Sequence, residues 1–134
     1  MSYRHYNSGL SLIEIIIVLA LAAILTTIAV SSYNGIVLDS RRKDAQISLL
    51  EMQQAIELIR LEHGKLIESE INKLPTASNM SFYQLEFTQS QDSYTVTAIP
   101  IGAQAVDAEC GNFVLDNLGQ KSITGDGDVN GCWD

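Results

Sequence analysis

The chain has 134 residues, with 16 acids against 8 lysines and arginines, a formal net charge of −8 at pH 7 and 46% hydrophobic residues. An acidic surface repels phosphate backbones, so no direct nucleic-acid partner is expected, and the length allows only one small domain once a membrane segment is set aside. No base stands beside an activated nucleophile: His5 falls in the first nine residues and His63 near a helix end, so the chain reads as non-enzymatic.

Met1 to Gly9 is a short polar leader ending Asn7-Ser8-Gly9. After Leu10-Ser11-Leu12-Ile13, a single acid, Glu14, heads an uncharged run from Ile15 to Leu38. As a helix this run extends about 36 Å, enough for a hydrocarbon core of about 30 Å. A carboxylate in such a span costs roughly 2.5–3.5 kcal/mol at mid-depth and less toward the interface, so a compensating cation is required. An ordinary secretory signal avoids an acid at this place, and a buried helix of a soluble protein would be shorter and more amphipathic. The nearest bases after the span are Arg41, Arg42 and Lys43, flanked by Asp39 and Asp44, and they read as solvated or headgroup-facing charge. By the positive-inside count this triplet favours a cytoplasmic head.

Helix is predicted to continue through Glu62 or His63, because Gly35 is the only internal glycine, no proline intervenes and Gly64 supplies a C-cap. Ala45, Leu49, Met52, Ile56 and Ile59 form one apolar stripe fit to pack on a sheet. Ile47, Leu50, Leu58 and Leu61 form a rougher second set, available either to neighbouring subunits or to covering loops of the same molecule. Lys65 to Met80 reads as a connection with a short helix stopped by Pro75. From there the period becomes two: Tyr83, Leu85 and Phe87 alternate with polar residues, and Tyr94 to Ile99 does so again beyond Ser90-Gln91-Asp92-Ser93, which predicts a hairpin. Phe113-Val114-Leu115 and Lys121-Ser122-Ile123, joined by Asp116-Asn117-Leu118-Gly119, add a third and a fourth strand.

Cys110 and Cys132 permit one disulfide, which would contribute roughly 3 kcal/mol by chain entropy and implies an oxidising compartment. Free thiols or a partial metal site fit less well, since no Cys-x-x-Cys spacing or nearby histidine accompanies them. Inside the disulfide loop, Asp126, Asp128, Asn130 and Gly131 match the opening half of a calcium loop, with Asp134 a substitute for the missing closing glutamate. The alternative is a solvated Asp/Gly turn with no cofactor. Trp133 reads as cover for the disulfide.

Gly9-Leu10-Ser11-Leu12-Ile13-Glu14 and the apolar run behind it resemble the N-terminus of type IV pilins and pseudopilins. The resemblance implies cleavage by a prepilin peptidase between Gly9 and Leu10, N-methylation of Leu10, and pairing of Glu14 with the amine of a neighbouring subunit. Leu10 stands where most of the family has phenylalanine, and Ala23 and Ser31 stand where many members carry a helix-loosening glycine and proline. The family places its head outside the cytoplasm, against the positive-inside count. It also implies an α+β fold: a long N-terminal helix, half transmembrane and half amphipathic, packed on a small antiparallel sheet with a C-terminal disulfide loop.

The expected division is a leader 1–9, a transmembrane and filament-core helix 10–38, and a head 39–134. The 94–100 strand, Cys110-Gly111, Leu115 to Gly119 and Cys132-Trp133 resemble the PilE-type minor pilins. The resemblance therefore implies a structural subunit that promotes or primes pilus assembly. Its partners would be other pilins, the prepilin peptidase, the inner-membrane assembly machinery and, before assembly, membrane lipid. It would sit in the inner membrane with a periplasmic head and then in the extracellular filament. A major pilin or a type II secretion pseudopilin is the alternative within the class, and a membrane-tethered, calcium-dependent ligand-binding module is the alternative outside it.

Overall fold

The computed structural model describes residues 11–90 and 93–134, without the side-chain surroundings of 29–32. The expected cleavage site Gly9–Leu10 and the hairpin tip Gln91-Asp92 lie outside the described residues, as does the side chain of Ser31. Helix α1 is assigned from Leu12 to His63. It ends where Gly64 takes φ 71°, a left-handed conformation that glycine adopts without steric cost. The chain divides into two compact units, the second being Val37–Asp134.

Within this second unit, the amphipathic part of α1 lies on a four-stranded antiparallel sheet. The strands β1 (Tyr83–Ser90), β2 (Ser93–Pro100), β3 (Phe113–Asp116) and β4 (Lys121–Ile123) run in the spatial order β1-β2-β3-β4. A short helix, α2 (Glu68–Ile71), precedes the sheet, and α3 (Val129–Trp133) closes the chain. The period-two residues fall on one face, as alternation requires. Leu85 pairs with Ala98, Ala98 with Phe113, and Val96 with Leu115, so these apolar side chains stand in rows beneath the helix. Ala45, Leu49, Met52 and Ile56 of α1 complete the core with Tyr83, Tyr94, Cys110, Cys132 and Trp133. Ile59, the last member of the stripe, is half-buried.

Cys110 and Cys132 are joined in a disulfide, with no free cysteine left over. Three backbone bonds reinforce it: Gly125 N–H to Cys110 O, Asp126 N–H to Ala108 O and Gly127 N–H to Glu109 O. That close approach explains Gly125, where an added Cβ would collide with the carbonyls of Ala108 and Glu109. Trp133 stacks edge-on against Phe113 at 5.3 Å and donates its indole N–H to Ser122 O, so it belongs to the core.

Candidate functional site

In the first unit, α1 presents apolar side chains outward. Leu12, Ile13, Ile16, Val18, Leu19, Leu21, Ile24, Leu25 and Ile28 are all more than half exposed. An 18-residue window here reaches a mean hydropathy of 2.7 with none of it buried, which makes this helix long and apolar enough to cross a membrane. Two hydroxyls on it are internally satisfied: Thr26 donates to Ala22 O and Thr27 to Ile24 O, each at 2.7 Å. Both therefore enter an apolar medium at little cost.

Glu14 is different. It sits in the first turn, where the helix dipole favours a negative charge, and it shares a recess of about 210 Å³ with Ile15, Val18 and Leu19. Its carboxylate has no hydrogen-bond or ion-pair partner among the described residues, and no lysine or arginine occurs between Arg4 and Arg41. Among the described residues, no cation stands near enough to neutralise it.

On the head half of α1, Ile47, Leu50, Leu58 and Leu61 are exposed, so loops of the same molecule do not cover this second set. Between this set and the buried stripe runs a polar seam at spacings of 4, 7 and 4, formed by Arg42, Gln46, Gln53 and Glu57. Gln46 donates to Cys132 O at 2.7 Å, Gln53 donates to Asp116 O at 2.8 Å, and Glu57 accepts from the Tyr94 hydroxyl at 2.6 Å. Burial, with that bond to Glu57, pushes the Tyr94 hydroxyl pKa above the ordinary tyrosine range.

Arg42 anchors the seam. Its guanidinium holds Asp107 through two bonds of 2.8 and 2.7 Å and Glu109 through one of 2.7 Å. This corrects the reading of Arg41-Arg42-Lys43 as a solvated triplet: the Arg42 side chain is only 13% exposed, and Arg41 lies 4.0 Å from the centre of the Phe82 ring. Asp107 is buried as well. Burial alone would push its carboxyl up. The Arg42 bonds, the Cys110 N–H and the Gln104 amide outweigh burial and hold it below the usual carboxylate range. Gln104 extends the cluster to the Tyr83 hydroxyl, which burial pushes up to about 12 against the opposing pull of the Gln104 bond.

In the disulfide loop, Asp126, Asp128, Asn130 and Asp134 are all exposed. Asp128 is the N-cap of α3 and accepts from Gly131 N–H at 3.1 Å. Among the described residues, the group of three acids or cysteines close enough to share a cation is Asp107, Glu109 and Cys110, a different set. There the two carboxylates already face Arg42 and the sulfur is in the disulfide.

An exposed apolar helix headed by one acid, continuing into an α+β head with a C-terminal disulfide, defines a type IV pilin-like subunit. The chain matches the family model described as type IV minor pilin ComP, DNA uptake sequence receptor, over residues 31–114, and the prokaryotic N-terminal methylation motif over residues 4–30. It belongs to the type IV minor pilin family. Among solved structures it is similar to a type IV pilin from Shewanella oneidensis, with 26% identity over 63% of this chain and 89% of that one and a TM-score of 0.47. No curated protein matches.

Proposed function

We propose that this minor pilin primes pilus assembly. It would wait in the inner membrane with its head in the periplasm, be cut between Gly9 and Leu10, be methylated on Leu10, and pass into the extracellular filament. The observation that carries the proposal is Glu14, an acid without a partner among the described residues on an exposed apolar helix. Once the leader is removed, Leu10 offers an ammonium, and methylation keeps its charge. Packing this helix beside those of other subunits would bury both apolar surface and an ion pair. In the second unit, the exposed Ile47, Leu50, Leu58 and Leu61 offer neighbouring subunits an apolar surface of their own. A priming subunit acts once per filament, so a strain lacking it is expected to make several-fold fewer pili of unchanged length. Shorter pili in unchanged number would point to a role in elongation instead.

The family description adds a second reading, a receptor for DNA. The charge of this chain opposes it, with 16 acids against 8 bases. Several of the bases are also committed: Arg42 to Asp107 and Glu109, Lys73 to Glu70, and Lys121 to the face of Trp133. A calcium ion in the Asp126 to Asp134 segment would compete with the cap that Asp128 gives α3.

A further inference from the structure

β1 is an end strand of the sheet, so one of its long sides has no strand beside it. Leu85 N–H donates to Thr76 O at 2.8 Å and Tyr83 O accepts from Ser78 N–H at 2.9 Å, so the odd-numbered residues of β1 turn their backbone groups away from β2. The period of two sends the N–H and C=O of Phe87 and Gln89 the same way. The cover given by residues 76–78 stops at Leu85. Among the described residues, nothing pairs with the backbone of Phe87 or Gln89.

Against this bare stretch lies an open groove of about 420 Å³. Met52, Ile71, Leu74, Leu85 and Phe87 give it an apolar lining, and the exposed Glu68 stands among them. A row of outward donors and acceptors at strand spacing is satisfied by another extended backbone, and an apolar recess alongside takes every second side chain of such a strand. The charge of the occupant follows from Glu68 and the net −8 of the chain. A second copy is a poor fit, because β1 carries Glu86 and no base, so pairing two copies edge to edge would bring like charges together.

We propose that the Phe87–Gln89 edge of β1 binds an extended, basic peptide segment of another protein as a fifth strand, with one of its apolar side chains in the groove. The test is amide hydrogen exchange on the full chain in detergent micelles, with an alternating Lys-Val heptapeptide as the probe. A heptapeptide of the same sequence with alternate amides N-methylated keeps the charge and loses the strand edge. The plain peptide is expected to slow exchange at Phe87 and Gln89 at least tenfold, and the methylated one to leave it unchanged. Gln89→Pro removes an outward N–H while sparing the pairing with β2, and it should weaken peptide binding at least tenfold with little change in melting temperature. Equal responses to the two peptides would overturn the proposal. So would protection that rises with protein concentration and no peptide, or the same protection from a short duplex DNA.

Discussion

Replacing Glu14 by alanine is expected to lower the amount of this chain in sheared pili at least tenfold while leaving its amount in the membrane unchanged. The span keeps its length and becomes more apolar, so insertion does not suffer. Under the proposed pairing, what is lost is the attraction between the carboxylate and a terminal ammonium, which in a lipid-like medium is far stronger than in water. Glu14→Gln separates charge from size: it fills the same space and should fail almost as badly. Glu14→Asp keeps the charge on a shorter arm and should recover part of the incorporation. If the alanine variant entered pili at the normal level, the carboxylate would have no part in assembly.

Arg42→Ala should be strongly damaging to the head, at about 3 kcal/mol or more, because it strands the buried Asp107 carboxylate without its cation. The partners have side-chain exposures of 13% and 2%, so this is not the surface salt bridge that water would screen to near zero. For a head of this size such a loss lowers the melting temperature by ten degrees or more. A double-mutant cycle with Asp107→Ala should show the two losses to be far from additive, because once either partner is gone the other has little left to lose. Additive losses would mean that the pair acts as two independent surface groups.

The same pair sets a pH dependence. Asp107 is held below its ordinary range in the folded chain. Its contribution is therefore complete above the ordinary aspartate pKa of about 3.9 and is lost as the pH falls toward the lower folded value, where the unfolded chain takes up the proton first. Arg42→Ala should flatten this acid limb of the stability curve.

Residues whose structure depends on near neighbours were legible from sequence. The spacing of Ala45, Leu49, Met52 and Ile56 is a property of one helix, and the alternation of Tyr83 to Phe87 is a property of one strand. Gly64 and the pairing of two lone cysteines needed no more. The brace was not legible, because Arg42 meets Asp107 and Glu109 across separations of 65 and 67 residues. A basic triplet between a span and a head looks like membrane-surface charge in the absence of its partners. The available signal was the 4, 7, 4 spacing of Arg42, Gln46, Gln53 and Glu57, a polar line beside an apolar stripe.

Helix α3 was hidden for another reason. Asp128-Val129-Asn130-Gly131 satisfies two patterns at once, half of a calcium loop and an N-cap whose acceptor lies three residues before its donor. Five residues are too few for periodicity to separate the two. Gln104 gave no signal either, since a glutamine among small residues reads as loop, whereas here it is fully buried against Tyr83 and Asp107.

Processing and assembly both depend on where the mature chain begins. Mass spectrometry of the N-terminal peptide, on protein from cells with and without the prepilin peptidase, reads this directly. A mature start at N-methylated Leu10 is expected when the peptidase is present, and an intact chain from Met1 when it is absent. A start near Ala23 in both strains would mean ordinary secretion, with Glu14 discarded along with a signal peptide, and would contradict a role for that carboxylate in the filament.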